Sequence, residues 1–171
     1  MIDSLLNNYK SNIAKIEMIK LKIAEWESIL LMNPLEIDTI YRKYQSENLG
    51  ITKTKVSNPT EELMIRVEKQ KEKINSWIED KTKAMEELNR DIQITEILIN
   101  SLDEENAYII KQKHFENKKW NNITYTFNSK YRNELNDYIT ESGIRKRYST
   151  IKASLSKLLI GFEQFDETLS G

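Results

Sequence analysis

The chain has 171 residues, of which 39% are hydrophobic and 31% charged, with four glycines, two prolines, one histidine and no cysteine. This length suits one domain, or a small domain with a long helical extension, and so little glycine and proline argues against a many-stranded sandwich or barrel. The absence of cysteine excludes disulfides, thiolate zinc sites and cysteine nucleophiles. A single histidine excludes a histidine-rich metal site and leaves few candidate bases, so we expect no enzymatic activity, no metal and no cofactor.

The first segment, 2–32, has the pattern of an amphipathic helix. Its apolar residues recur about every 3.5 residues, which places a narrow apolar seam on one side. Asn33-Pro34 should end this helix, because proline disfavours helical backbone in the residue before it. A shorter helix is expected over 35–46, and the glycine and Asn-Pro pair in 47–60 predict a loop.

The longest helix is predicted over 60–102. Thr60 or Asn58 can cap its free amide groups, and Glu61 and Glu62 complement the positive end of the helix. A helix of about 40 residues is a rod of roughly 60 Å, which must pack on something. The first helix has a similar repeat and is the obvious partner. An antiparallel pair within one chain and a dimeric coiled coil both fit the pattern.

Apolar residues at helical spacing predict four short helices in the last third of the chain. They cover 101–117, 119–127, 130–139 and 144–160, and Gly143 is expected to break the chain before the last of them.

The predicted fold is therefore all-α: a long antiparallel helical hairpin or coiled coil followed by a small helix-turn-helix-like module. We place the coiled-coil or oligomerisation region at 1–100, the helix-turn-helix-like module at 101–160 and an acidic tail at 161–171.

The net charge of −1 conceals a strong asymmetry along the chain. Residues 61–107 have seven basic and thirteen acidic side chains, a net of −6, whereas 108–157 have eleven basic and four acidic, a net of +7. A basic block of that size with interleaved aromatic residues indicates a polyanionic partner.

The order of sequence pieces across 101–160 resembles the phage-type late transcription regulators of the RinA and ArpU kind, whose C-terminal part is similar to region four of bacterial sigma factors. The residues that fit the first two parts of that pattern are Leu102, Glu105, Ile109, Ile110, His114, Phe115, Trp120 and Ile123. Those that fit the third part are Arg147, Ile151, Ala153, Leu155 and Leu158. The resemblance implies a helix-turn-helix that binds double-stranded DNA.

Two positions depart from the family pattern. Thr124 stands where the family has a small residue, and the stretch 129–141 replaces the usual tight turn. Either that stretch contains an inserted helix, or the true recognition helix begins at 130–133.

The last predicted helix has cations crowded into its first turns, where they oppose the helix dipole. Such a placement is easier to understand if a polyanion binds there, with the helix in the major groove and flanking lysines on phosphates. The candidate DNA-binding residues are Lys118, Lys119, Lys130, Arg132, Arg145, Lys146, Arg147, Tyr148, Ser149 and Lys152.

The remaining conspicuous residues have structural interpretations. We expect a packing or capping role for His114 and core positions for Tyr108, Trp120, Trp26 and Trp77. The carboxylates of 103–105 suit a helix N-terminus as well as they would suit a metal.

The leading hypothesis is a sequence-specific transcriptional regulator of phage or mobile-element type. Its long helices would form a homodimer or hold RNA polymerase in the cytoplasm of a bacterial or phage-infected cell, with no membrane partner. One alternative is an all-helical scaffold protein that uses its coiled coil as the interaction surface. A phage DNA-packaging recognition subunit, which would work as a ring, is the other.

Overall fold

The computed structural model describes residues 1–49, 61–132, 134 and 137–169. Side chains are described as far as residue 45 in the second helix and as far as residue 161 in the last helix. Helix accounts for 89% of these described residues, and no strand occurs among them, which confirms the all-α prediction. No helix among them is both long enough and apolar enough to cross a membrane. Of the predicted loop 47–60, residues 47–49 are helical instead, and 50–60, with the two candidate caps Asn58 and Thr60, lie outside the described residues.

Six α-helices follow one another in the described part of the chain. They are α1 (Ile2–Leu30), α2 (Pro34–Leu49), α3 (Glu61–Asn100), α4 (Glu104–Ile110), α5 (Trp120–Tyr131) and α6 (Glu141–Leu169). A single π-helical turn, Lys111–Phe115, continues α4. Asn33 begins α2, as its side chain accepts from the Glu36 N–H and its own N–H donates back to the Glu36 carboxylate.

The chain divides into two compact units whose boundaries fall inside the long helices. One unit comprises Met1–Ala14 with Leu88–Gly171, and the other comprises Lys15–Glu87. This division differs from the predicted one at residue 100, since the first turns of α1 and the last turns of α3 belong with the C-terminal helices.

The first unit, which we call the C-terminal module, has an aliphatic core contributed by all of its helices. Ile2 and Leu6 of α1 pack with Leu98 of α3, Ile109 of α4 and Ile144 of α6, and all five are buried. Phe127 of α5 is fully buried in the same cluster. The N-terminal turns of the chain are therefore part of this core.

The second unit, which we call the coiled-coil unit, combines an aromatic cluster with a buried ion network. Trp77 lies 5.6 Å from Trp26 and stacks on Tyr41, ring centroid to ring centroid at 5.8 Å. Asp38 accepts hydrogen bonds from Arg66 and Gln70, both at 2.8 Å. These contacts tie α1, α2 and α3 together.

Helices α1 and α3 pair within one chain. In the C-terminal module the Tyr9 hydroxyl donates to Glu96 at 2.8 Å, and in the coiled-coil unit Trp26 contacts Trp77. Residue numbers along α1 rise as those along α3 fall, so the pairing is antiparallel.

The short helix predicted over 130–139 is wrong. Residues 130 and 131 end α5, Arg132 has extended backbone, and 138–140 are not helical, whereas Leu135 lies outside the described residues. The physical reason is a side-chain bridge: the Asn128 amide donates to the Ile139 carbonyl and accepts from the Ile139 N–H, each at 2.9 Å. The Asn128 side chain thus forms the hydrogen bonds that the Ile139 backbone N–H and carbonyl would have formed within a helix.

The break predicted at Gly143 is also wrong, because Gly143 lies in the first turn of α6. Its N–H donates to the Thr140 hydroxyl at 3.2 Å, which makes Thr140 the cap. A Cβ at Gly143 would lie 2.7 Å from Cγ2 of Ile139, so the glycine leaves room for the isoleucine that enters the helix. The last helix accordingly runs over Glu141–Leu169 and includes backbone assigned to the acidic tail.

Candidate nucleic-acid interface

Glu105 is the polar centre of the C-terminal module. Arg132 donates to both carboxylate oxygens, at 2.7 and 3.0 Å, and Nη1 of Arg147 donates to Oε2 at 2.6 Å. The Arg132 guanidinium is the first cause, and Arg147 the next, of a fall in the pKa of Glu105 from 4.5 to about 2, which outweighs the opposing effect of burial. At neutral pH the site is a carboxylate held by two guanidinium groups.

The surroundings of Glu105 fix both arginines in place. Asp103 caps α4 by accepting from the Asn106 N–H at 2.8 Å, and the Asn106 side chain accepts from Nε of Arg147 at 2.6 Å. The two guanidinium carbons lie 5.0 and 5.5 Å from the centre of the buried Phe127 ring. Arg132 and Arg147, both candidate DNA-binding residues, are therefore bound inside the module.

A second network joins His114 to α1 and α6. Nδ1 of His114 lies 2.7 Å from Oδ1 of Asn7, which can only accept, so Nδ1 bears the proton and Nε2 accepts from the Tyr148 hydroxyl at 2.8 Å. Burial lowers the pKa of His114 and raises that of Tyr148. Both side chains are accordingly neutral at pH 7, which agrees with the packing role expected for the histidine.

Trp120, the first residue of α5, lies against two cations and a tyrosine ring. Tyr148 packs edge-on against it with ring centroids 5.0 Å apart. Lys113 Nζ lies 5.0 Å and the Arg145 guanidinium carbon 5.5 Å from the centre of its ring. Lys119 precedes Trp120 in the chain and is exposed. Trp120 thus joins the π turn, the start of α5 and the start of α6 into one basic, aromatic surface.

The first turns of α6 contain engaged and free side chains. Arg145 pairs with Glu141 at 2.6 Å, and Lys152 pairs with Asp3 at 2.6 Å. Ser149 is exposed and its hydroxyl donates to the Arg145 carbonyl. Lys146 is exposed, and its ammonium group contacts no other described residue.

The other two candidate lysines lie apart from these turns. Lys118 donates to the side chain of Gln112. Lys130 pairs with Glu104 at 3.0 Å and lies 4.7 Å from the Tyr131 ring centre. Neither lies against Trp120 in the described contacts.

We call Lys113, Lys119, Arg145 and Lys146 the basic rim. The last three are among the candidates predicted from the sequence, but Lys113 is not, because a turn separates it from Trp120 and their spacing of seven residues gives no helical signal there. Lys111 and Lys157 were not predicted either, although both are exposed and their ammonium groups contact no other described residue of the module. Lys157 lies on the same side of α6 as Lys146, and that periodicity could have revealed it.

The described residues contain no group of three acidic or histidine side chains placed to hold a metal ion. Comparison with protein-family models, curated proteins and solved structures finds no match for this chain. The geometry of the basic rim and of α6 is therefore the guide to what this chain binds.

Proposed function

We propose that this chain binds double-stranded DNA through the basic rim and the exposed face of α6, and that it is a sequence-specific transcriptional regulator of phage or mobile-element type. The observation that supports the proposal best is that Lys113 and Arg145 both lie over the Trp120 ring, and that the exposed Lys119 and Lys146 are their immediate neighbours in the chain, next to Trp120 and Arg145. Cations at two adjacent helix starts are suited to straddling a DNA backbone, and α6 is suited to entering the major groove.

The charge of the module agrees with such a partner. Ten of the eleven basic residues in 108–157 lie on or beside the π turn, α5 and the first turns of α6, and the eleventh, Lys157, lies further along α6. Arg132 and Arg147 are paired with Glu105 of the same module, whereas the exposed lysines are available to bind phosphates. Binding of this kind releases counterions, so the affinity should fall steeply as salt is raised.

The decisive experiment measures binding of the full chain to fluorescent duplex DNA at two salt concentrations. The triple variant Lys119→Ala/Arg145→Ala/Lys146→Ala should lose roughly 10- to 100-fold in affinity and about 2 to 3 units of salt slope. The matched control is Lys69→Ala/Lys73→Ala/Lys83→Ala, which removes the same charge from exposed lysines of α3 in the coiled-coil unit. Equal affinities of both variants, or no duplex binding by the wild type at low salt, would refute the proposal.

A regulator of this kind would act in the cytoplasm, as a homodimer or with RNA polymerase. Since α1 and α3 already pair within the chain, a dimer would use other faces of these helices. Met18 and Leu21 of α1 are 71% and 73% exposed and are suited to such a contact. Light scattering on the full chain tests this step, because a ring of many copies would instead favour the DNA-packaging subunit.

The scaffold alternative rests on an apolar surface of the coiled-coil unit. Leu31 and Leu35 are 89% and 67% exposed beside a shallow cleft of about 400 Å³ lined by Met32 and Ile40. Exposed apolar patches are typical of protein contacts. Leu31→Asp/Leu35→Asp should leave DNA binding unchanged if the chain is a regulator. The scaffold would be favoured if the wild type binds no duplex but self-associates, and if this variant no longer self-associates.

A further inference from the structure

The side chains of α6 divide into an inward and an outward face. Ile144, Ile151 and Leu155 are buried in the core, and Arg147 and Tyr148 are half-buried on the same side. The exposed residues of the first four turns are Ser142, Arg145, Lys146, Ser149, Thr150, Ala153 and Ser154. If α6 enters a groove, as the proposed function requires, this outward face is the one that meets the base edges.

Three consecutive cations occupy the start of α6, and they differ in what already holds them. Arg147 donates to Glu105 and Asn106, each at 2.6 Å. Arg145 donates twice to Glu141, at 2.6 and 2.9 Å, and its guanidinium lies over Trp120. The Lys146 ammonium has no partner among the described residues.

This difference decides which cation is available to DNA. Arg147 would have to leave a carboxylate with a lowered pKa and expose a half-buried guanidinium before it could reach a base. Lys146 has no partner to leave among the described residues. Of the three cations, it is therefore the one whose N–H donors are available in the described structure at the N-terminal end of α6, where a groove-bound helix contacts bases.

The neighbours of Lys146 allow close approach. Ser149 and Thr150 lie one turn further along the same face, and their hydroxyls donate to the Arg145 and Lys146 carbonyls. These side chains stay against the helix, so the longer lysine projects beyond them. A lysine in the major groove most often donates to O6 and N7 of guanine.

We propose that Lys146 is the specificity-determining cation of this module and that it reads a guanine in the major groove, whereas Arg147 stabilises the module through Glu105. This inference rests on the proposed function. It assigns base reading to a residue that the family-like pattern around Arg147 does not single out.

The test begins with selection of preferred sites from a randomised duplex pool by the full-length wild type, Lys146→Ala and Lys157→Ala. Lys157 is the matched control, because it is an exposed lysine on the same side of the same helix, about three turns further on. Lys157→Ala should select the wild-type site, with a uniformly lower affinity at most. Lys146→Ala should lose the preference at one guanine position, and Lys146→Arg should retain it.

Replacing that guanine by 7-deazaguanine, which lacks the N7 acceptor, then isolates the contact. The wild type should lose roughly tenfold in affinity, and Lys146→Ala should bind both duplexes equally. If Lys146→Ala selects the wild-type site unchanged, the inference is overturned while the proposed function stands. If the wild type binds no duplex, the proposed function fails and the inference fails with it.

Discussion

Nη1 of Arg147 lies 2.6 Å from Oε2 of Glu105, across 42 positions of sequence. Arg132 holds the other oxygen of the same carboxylate at 2.7 Å. One side chain of α4 therefore fixes both α6 and the segment that follows α5. The orientation of the outward face of α6 depends on this ion network.

Glu105→Gln should destabilise the C-terminal module. The substitution removes the charge but keeps the size, so two guanidinium groups lose their carboxylate while remaining partly buried. We expect the free energy of unfolding to fall by about 1–3 kcal/mol, as for hydrogen bonds to charged groups. Urea unfolding followed by circular dichroism measures it.

Glu104→Gln is the matched control for that variant. Glu104 is the adjacent residue, and its side chain is 76% exposed where it meets Lys130. Exposed pairs contribute little, so we expect a change within about 0.5 kcal/mol. Equal losses in the two variants would show that Glu105 has no special structural role.

The Glu105 network should also shape the acid stability of the protein. The ordinary pKa of a glutamate is 4.5, whereas the pKa of Glu105 in the fold is about 2. The carboxylate is therefore protonated in the unfolded chain at a higher pH than in the folded chain. The resulting stabilisation is fully present above pH 4.5 and is lost between there and about pH 2. The free energy of unfolding of the wild type should therefore fall more steeply from pH 5 to pH 3 than that of Glu105→Gln. Parallel curves would contradict the lowered pKa.

The two helical glycines of α6 should respond oppositely to alanine. At Gly143 the new Cβ would lie 2.7 Å from Cγ2 of Ile139, a stiff branched side chain packed on the core. We expect the resulting strain to outweigh the helix propensity of alanine and to cost about 1 kcal/mol net. At Gly161 a Cβ would meet nothing within 4 Å, so Gly161→Ala should stabilise by about 0.5–1 kcal/mol. Thermal unfolding distinguishes the signs, and stabilisation by Gly143→Ala would refute the crowding.

The spacing of apolar residues was sufficient to predict the helical fold, because each long helix buries one row of apolar side chains at helical spacing. Val67 and Ile74, seven residues apart on one side of α3, are buried, and so are Ile123 and Phe127, four residues apart on one side of α5. The helix expected over 130–139 had the same kind of spacing. This prediction was wrong because the Asn128 side chain hydrogen-bonds to the backbone of Ile139, eleven residues away. The spacing of apolar residues does not predict such a bond.

The candidate site was only partly predictable for a related reason. A charge count cannot distinguish Lys146 from Arg147, although one is free in the described structure and the other is bound to a carboxylate 42 positions earlier. The same holds for Lys152, whose partner Asp3 lies 149 positions away. Composition therefore identified the basic region, but long-range pairing decides which of its cations are available.

Stability near neutral pH should depend on His114, the single histidine of the chain. Burial is the largest cause of its lowered pKa, and Lys152 and Lys113 act in the same direction against the opposing effect of Asp3. As the pH is lowered, the unfolded chain therefore binds a proton near pH 6.5, before the folded chain does. The free energy of unfolding is highest above that pH and decreases below it, by at most about 1.4 kcal/mol per pH unit. Between pH 7.5 and 5.5 the wild type should lose stability in urea unfolding, whereas His114→Gln, which has no titrating ring, should show a flatter profile. A wild-type profile as flat as that of His114→Gln would show that the ring titrates alike in both states.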